Sequence, residues 1–355
     1  MVATHATDAF LAEAWRDGIV WHLSNLMFGF AGPAFLMVAG ITLGLRVGSM
    51  PGPRAGTRQR ILRRMLGILM LGYWLQIPVL SLRRLVMEQR PEDMARMFDS
   101  NILHVIALAS IAIVLIAALS ASPIRMRLAV GALTFVVVMA TPYIWASGIY
   151  RDLWLPIRLF LAPQPIAMFP LFPYSFHLLA GFLLTPLLVA LERHPKGWLI
   201  MLGAGCALVA AGFGIDSLIG GIPPHDDFWG SGIGHVLFRS GGIVSALGLC
   251  IGISRSIGES VSALEQIGRR SLGIYTLHLM AIYGSPMTIG LRSSFGGIFH
   301  HAFSPAAVIA IAAAVILLCY HALRGWERAR TRYPGLCSWA TGVWWTWFVL
   351  RFVWG

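Results

Sequence analysis

Long apolar runs separated by short polar loops organise this chain, and each run is about as long as a helix that crosses a membrane. By hydropathy the runs fall at about Phe28–Leu45, Met65–Leu82, Ile102–Leu119, Leu128–Ala146, Phe169–Leu191, Trp198–Ile219, Gly232–Ile253, Ser271–Leu291 and Pro305–Leu323. At about 1.5 Å rise per residue, runs of this length match a hydrocarbon core roughly 30 Å thick. In the first of them Gly29, Gly32, Gly40 and Gly44 offer small faces for close helix contact, and Pro33 predicts a kink whose carbonyls must be satisfied within the protein.

The two ends differ from the runs between them. Residues 1–17, opening MVATHATDAFLAEAW, lack the basic n-region and small-residue cleavage site of a secretory signal, are too polar and too short to span alone, and read as the remnant of a first helix. Residues 338–354, within SWATGVWWTWFVLRFVWG, carry five tryptophans and an arginine, which predicts an interfacial helix or a short last crossing. The expected fold is therefore all-α: a polytopic transmembrane bundle of about nine to eleven helices, one domain over 1–355, with no soluble domain.

Composition sharpens this picture. Of 355 residues 57% are hydrophobic and 12% charged, and mean hydropathy is +0.73, which excludes an ordinary soluble domain. The net charge of +12 reports topology rather than nucleic-acid binding, because the arginines fall in short loops between apolar runs. Arg46, Arg54, Arg58, Arg60, Arg63 and Arg64 form the densest basic cluster, and alternate loops with Arg125, Arg193, Lys196, Arg255 and Arg324 share its side. That side is expected to be cytoplasmic, with a bacterial inner (plasma) membrane as the location. The opposite loops hold Glu88, Glu92, Asp93 and Asp99, then Asp216, Asp226 and Asp227. The 4 cysteines form no CxxC pair and read as small hydrophobes.

Candidate chemistry centres on histidine, whose pKa near working pH suits acid, base or nucleophile. The stretch GRRSLGIYTLHLM places Arg269 and Arg270 at a membrane edge and His278 about 12 Å further along a helix. His22, His104 and His235 fall at outer ends of spans and His177 about halfway, so with His5 and His278 they could line one cavity; each alone could equally hydrogen-bond a neighbouring helix. Arg239, a turn past His235, must meet an acid, carbonyls or an anionic ligand. Asp8 and Asp17 are candidates to orient His5 or His22, or else form helix-end ion pairs. Arg60, Arg63, Arg64, Arg269 and Arg270 suit phosphate groups as well as plain anchoring at the inner surface. His225, His300 and His301 lie in outer loops with no second ligand set, so no metal is expected.

Four stretches resemble the heparan-alpha-glucosaminide N-acetyltransferase-like transmembrane acyltransferases, within the wider membrane-bound acyltransferase superfamily. MVATHATDAFL is similar to the end of that family's first helix, and GFAGPAFLMVAGITLGLR to its Pro-Xaa-Phe-Leu-Xaa-Xaa-Xaa-Gly helix. NILHVIALASIAIVLIAAL is similar to the Leu-Gln-Arg-Ile-Gly/Ala-Leu helix, with His104 where glutamine is usual, and IGRRSLGIYTLHL to the late Gly-Arg-Xaa-Ser-Leu-Xaa-Xaa-Tyr-Xaa-Xaa-His helix. The resemblance implies transfer of an acyl group, acetyl first, from cytoplasmic acetyl-CoA (a donor substrate) to a sugar or glycan amine or hydroxyl across the bilayer. It points to His22 first and His5 second as the catalytic histidine, with Asp17 or Asp8 behind it. His278, Arg239, His104, His177 and His235 would line the substrate site, and Arg60, Arg63, Arg64, Arg269 and Arg270 would hold the CoA phosphates. Expected partners are acyl-CoA, the glycan acceptor and the lipid bilayer, with a homodimer left open and no nucleic acid. The alternative is a transporter or flippase of an anionic lipid or glycan intermediate, which needs alternating access; no clear internal symmetry supports it.

Overall fold

The structure is a computed structural model that describes residues 1–47, 55–88, 90–161, 167–219, 232–257, 262–285 and 287–354. Arg54, His225, Asp226 and Asp227 lie outside the described residues. In chain order the helices are α1 (Val2–Phe10), α2 (Gly18–Phe28), α3 (Ala31–Val47), α4 (Ala55–Gln76), α5 (Leu82–Glu88) and α6 (Pro91–Phe98), then α7 (Ile102–Leu119), α8 (Pro123–Ser147), α9 (Leu155–Leu161), α10 (Leu171–Arg193) and α11 (Gly197–Ile219). They continue with α12 (Ile233–Ile257), α13 (Ser262–Arg269), α14 (Ser271–Tyr283), α15 (Pro305–Arg332) and α16 (Pro334–Trp354). The only sheet among the described residues is a two-stranded hairpin, β1 (Gly284–Ser285) and β2 (Thr288–Ile289), after α14. The fold is an all-α polytopic helix bundle.

Among the described residues seven helical stretches are long and apolar enough to cross a membrane: Gly18–Val47, Ile102–Leu119, Pro123–Ser147, Leu171–Arg193, Gly197–Ile215, Ile233–Ile257 and Pro305–Arg332. Their outward positions are apolar; Leu119 is 89% and Ile309 70% exposed, as lipid-facing side chains are. The chain is thus an integral, multi-pass membrane protein. Two expected runs end early. α4 starts at Ala55 and stops at Gln76, because Pro78 restricts Ile77 and cannot continue the helix. α14 stops at Tyr283 instead of reaching Leu291: Gly284 takes φ +89°, and its backbone N–H bonds back to Met280 O as the chain turns into the hairpin.

The chain divides into two compact units. One comprises Met1–Gly29, Leu75–Met97 and Glu259–Gly355. Its core packs Ala6, Ala9 and Phe10 of α1, with Leu11 just past its end, against Ile282 of α14 and Val308 and Ala312 of α15. A second cluster, Val2 with Ile274, Val315 and Cys319, extends the same three-helix contact. At the far end of α14, Arg270 grips Glu327 of α15 through both carboxylate oxygens, with its Nη2 2.7 Å from Oε2, and lies over the Tyr320 ring.

The other unit comprises Phe30–Trp74 and Phe98–Gly258. Lipid tails are as apolar as leucine, so close van der Waals contact rather than water exclusion must hold its helices together. Glycine supplies it. A side chain at Gly40 of α3 would strike the Leu178 carbonyl of α10, and one at Gly181 would strike the Met37 carbonyl of α3. Gly205 of α11 and Gly241 of α12 meet each other's carbonyls in the same reciprocal way. α7 begins with a capping box: the Asn101 carboxamide accepts from the Leu103 and His104 N–H groups at 2.9 and 3.2 Å, and His104 Nδ1 accepts from Asn101 N.

Candidate functional site

In the first unit α1 and α14 bring four polar side chains together. Ala6, Ala9 and Phe10 pack in one cluster with Ile282, and His5 and Asp8 lie on the flank of that face of α1, beside the end of α14. Tyr283, the last residue of α14, donates its hydroxyl hydrogen to Asp8 Oδ2 at 2.7 Å. Its oxygen therefore accepts from His5 Nδ1, 3.3 Å away. This places the proton of a neutral His5 on Nδ1 and leaves a lone pair on Nε2. The sequence Asp8, Tyr283, His5 is a carboxylate–phenol–imidazole relay, in which a phenol is interposed between acid and histidine.

The His278 ring lies 5.3 Å from that of His5, centroid to centroid, and is fully buried. Its Nδ1 is 2.9 Å from the carbonyl of Ile274, one helical turn back; a carbonyl only accepts, so Nδ1 carries the hydrogen. Its Nε2 is buried with no hydrogen-bond partner among the described residues. Tyr275 packs edge-on against the same ring at 5.4 Å. Two imidazoles thus lie side by side, each with its tautomer fixed by Nδ1 and its basic nitrogen uncommitted to these contacts. A buried acceptor left bare costs stability, which a water or a ligand donor at His278 Nε2 would relieve.

The rim of this site is polar. Arg292 lies over the Tyr283 ring at 5.8 Å, and His300 stacks on His301 at 3.9 Å. The pKa of His300 is lowered from its ordinary value by desolvation and then by the cations of Arg292, His301 and Arg16. Among the described residues no three of His, Cys, Asp and Glu gather as a metal requires.

The second unit holds a separate cluster. Ser240 Oγ donates to Val236 O at 2.7 Å and meets His177 Nδ1 at 3.5 Å, both side chains buried. Arg239 hydrogen-bonds Tyr174 and lies within electrostatic reach of His177 and His235. Arg239 is the cation of this cluster, and a guanidinium among buried side chains has the chemistry to hold an anion. His104 is buried too, but its Nδ1 serves the cap of α7 and its ring packs 4.2 Å from that of Tyr73.

The remaining residues singled out in the sequence lie elsewhere. His22 is exposed on α2, and Asp17 accepts from Gly18 N at 2.7 Å at the start of that helix, so neither joins the relay. Arg269 pairs with Glu265 and Arg270 with Glu327. Arg60, Arg63 and Arg64 are exposed on α4 and form no ion pair among the described residues. Tyr283 went unnoticed in the sequence, since a tyrosine five positions past His278 has no distinguishing spacing.

The paired imidazoles of His5 and His278 lie within a polytopic helix bundle. A family model described as an acyltransferase domain matches residues 1–324. The chain belongs to this membrane acyltransferase family. Comparison with curated proteins and with solved structures gave no match.

Proposed function

We propose that this acyltransferase moves an acetyl or other short acyl group from cytoplasmic acyl-CoA to an amine or hydroxyl of an extracytoplasmic sugar or glycan, in a bacterial inner membrane, with His5 as general base. The observation that carries the reading is the Asp8–Tyr283–His5 relay, which orients His5 so that Nε2 is the basic nitrogen. As the acceptor oxygen or nitrogen attacks the thioester carbonyl, Nε2 takes its proton; the new C–O or C–N bond forms, the C–S bond breaks, and the CoA thiolate leaves to be protonated. The hydroxyl of Tyr283 and the carboxylate of Asp8 stabilise the imidazolium formed, as a carboxylate does in a hydrolase triad. His278 Nε2 bears a lone pair and accepts a hydrogen bond, which suits it to orient an acceptor O–H or N–H rather than to stabilise an oxyanion.

The test is thiol release from acetyl-CoA by purified protein in detergent, with amino sugars and glycans as acceptors. Wild type is expected to release thiol in step with acceptor acylation. His5→Ala should lower the rate by roughly 10²- to 10⁴-fold, the usual contribution of a general base. A His5→Ala protein of wild-type rate, or a wild type that makes no acylated product, would refute the reading.

A further inference from the structure

We propose that Arg292 selects the acceptor, by pairing with a carboxylate or phosphate group on the sugar whose hydroxyl or amine meets His5. This choice rests on the acyltransferase reading and narrows its acceptor to an anionic sugar or glycan. The fold beyond α14 sets the position of Arg292. β1 and β2 pair Gly284 with Ile289 and Ser285 with Thr288, so the chain reverses at once and comes back beside Tyr283. Gly290 closes the reversal, because a side chain there would strike Gly284 N and the Ile282 carbonyl. A tight turn over Leu291–Gly297 follows, in which Ser293 N donates to Gly290 O at 3.0 Å and Ser294 Oγ donates to the same carbonyl at 2.9 Å. Arg292 is thereby held at the rim, with its Cζ 5.8 Å from the centroid of the Tyr283 ring.

The two cations nearest the relay differ in what they hold. Arg16 is committed to the end of α1: its Nε donates to Leu11 O at 3.2 Å and its Nη2 to the Thr7 and Asp8 carbonyls at 3.3 and 2.8 Å. The two rim carboxylates are engaged as well. Asp8 accepts from Tyr283, and Glu13 lies 3.7 Å from Arg16 Nε and 2.7 Å from His301 Nδ1. Arg292 makes no hydrogen bond or ion pair among the described residues, and the aromatic face beside it takes up none of its N–H groups. A guanidinium that is always charged, half-buried and without an acid is built to meet one.

His5 borders the same ring as Arg292. Its imidazole meets Tyr283 edge-on at 5.6 Å, so one aromatic ring separates the base from the guanidinium and a single sugar unit can engage both. Carboxylate and phosphate oxygens match the guanidinium fork through two parallel N–H bonds, whereas a neutral hydroxyl offers it no charge. Because Arg292 touches the substituent and not the reacting atoms, its effect belongs to KM and to the choice between acceptors rather than to kcat.

The test gives the full chain in detergent acetyl-CoA and matched acceptors: glucose, glucuronic acid and glucose 6-phosphate, then glucosamine and glucosamine 6-phosphate. Acylated product is followed by mass spectrometry. Wild type is expected to show a KM roughly tenfold lower for the charged sugars than for their neutral parents, with kcat alike. Arg292→Gln should raise KM for the charged sugars to the neutral value and leave the neutral sugars unchanged; whether glucuronic acid or glucose 6-phosphate loses more tells which anion the site prefers. Arg292→Lys, which keeps the charge and loses the fork, should retain part of the preference and keeps the test open if Arg292→Gln does not fold. Equal KM for charged and neutral sugars in wild type, or a preference that survives in Arg292→Gln, overturns the role of Arg292 and leaves the acyltransferase reading standing. A wild type that acylates none of these sugars and no glycan overturns the acyltransferase reading itself.

Discussion

Tyr283 and Asp8 are 275 positions apart, yet the phenol donates to the carboxylate at 2.7 Å and in doing so decides which nitrogen of His5 can act as a base. Tyr283→Phe removes the hydroxyl and keeps the ring. The His5 tautomer is then no longer fixed, and we expect acyl transfer to fall by roughly tenfold to a hundredfold, less than the loss of the base itself. The comparison that checks this is kcat for Tyr283→Phe against His5→Ala, with thermal unfolding in detergent to confirm that both variants fold. Equal rates for Tyr283→Phe and wild type would remove the relay from the mechanism.

The reciprocal glycines make a stability prediction. Gly181→Leu puts a side chain where the Met37 carbonyl of α3 sits, and Gly205→Leu does the same at the Gly241 carbonyl. Helix separation must increase, and overpacking of this kind costs about 1–3 kcal/mol or more. Gly203, one residue pair away on α11, has nothing within 4 Å of an added Cβ. Thermal melts should therefore show Gly181→Leu and Gly205→Leu well below wild type and Gly203→Leu close to it.

Much of this bundle is legible in sequence because its signal is one-dimensional. A run such as Ile102–Leu119 must be helical in lipid, where every backbone group needs an internal partner, and the structure gives that helix those limits. The ends of α4 and α14 were harder to place. Hydropathy continues through Pro78 and Gly284, whereas the backbone cannot, so local proline and glycine chemistry overrides the apolar count. At the site, His5, Asp8 and His278 stood out as ionisable residues in apolar surroundings. Tyr283 did not, because its place beside His5 comes from a contact with α1 that no spacing encodes. His22 stood out for its place before a span, but exposure on α2 is a property of packing.

Asp99 gives a pH dependence outside the spans. Burial raises its pKa to about 6, against the hydrogen bonds it accepts from the Met168 and Ser100 N–H groups. An acid whose folded pKa lies above its unfolded value, about 3.9, binds its proton more tightly in the native state. Its effect on stability therefore falls as pH rises from about 4 to about 6 and is level on either side. Asp99→Asn should remove this slope while keeping an acceptor for Met168 N. Unfolding midpoints measured across that interval should decline with pH in wild type and stay flatter in the variant; a steeper decline in the variant would contradict the assignment.

The basic residues of the two helix starts should separate by function. Arg270 is committed to Glu327 by two-oxygen contact, with Nη1 also donating to Gln266 O at 3.0 Å, and Arg269 pairs with Glu265. Arg60, Arg63 and Arg64 are exposed on α4 with no such partner among the described residues, which leaves their guanidinium groups open to phosphate. Arg270→Ala strands the Glu327 carboxylate and loosens α14 from α15, so its effect should be on unfolding temperature, with KM for acyl-CoA changed little. Replacing Arg63 or Arg64 by alanine should leave the melt unchanged and raise KM, by roughly tenfold where a charge-assisted bond worth about 1.4 kcal/mol is lost. Added salt should weaken the wild-type affinity and affect the Arg63 and Arg64 variants less, because screening acts on contacts they no longer make. If instead Arg270→Ala raises KM and the α4 variants do not, the donor phosphates are held at the start of α14.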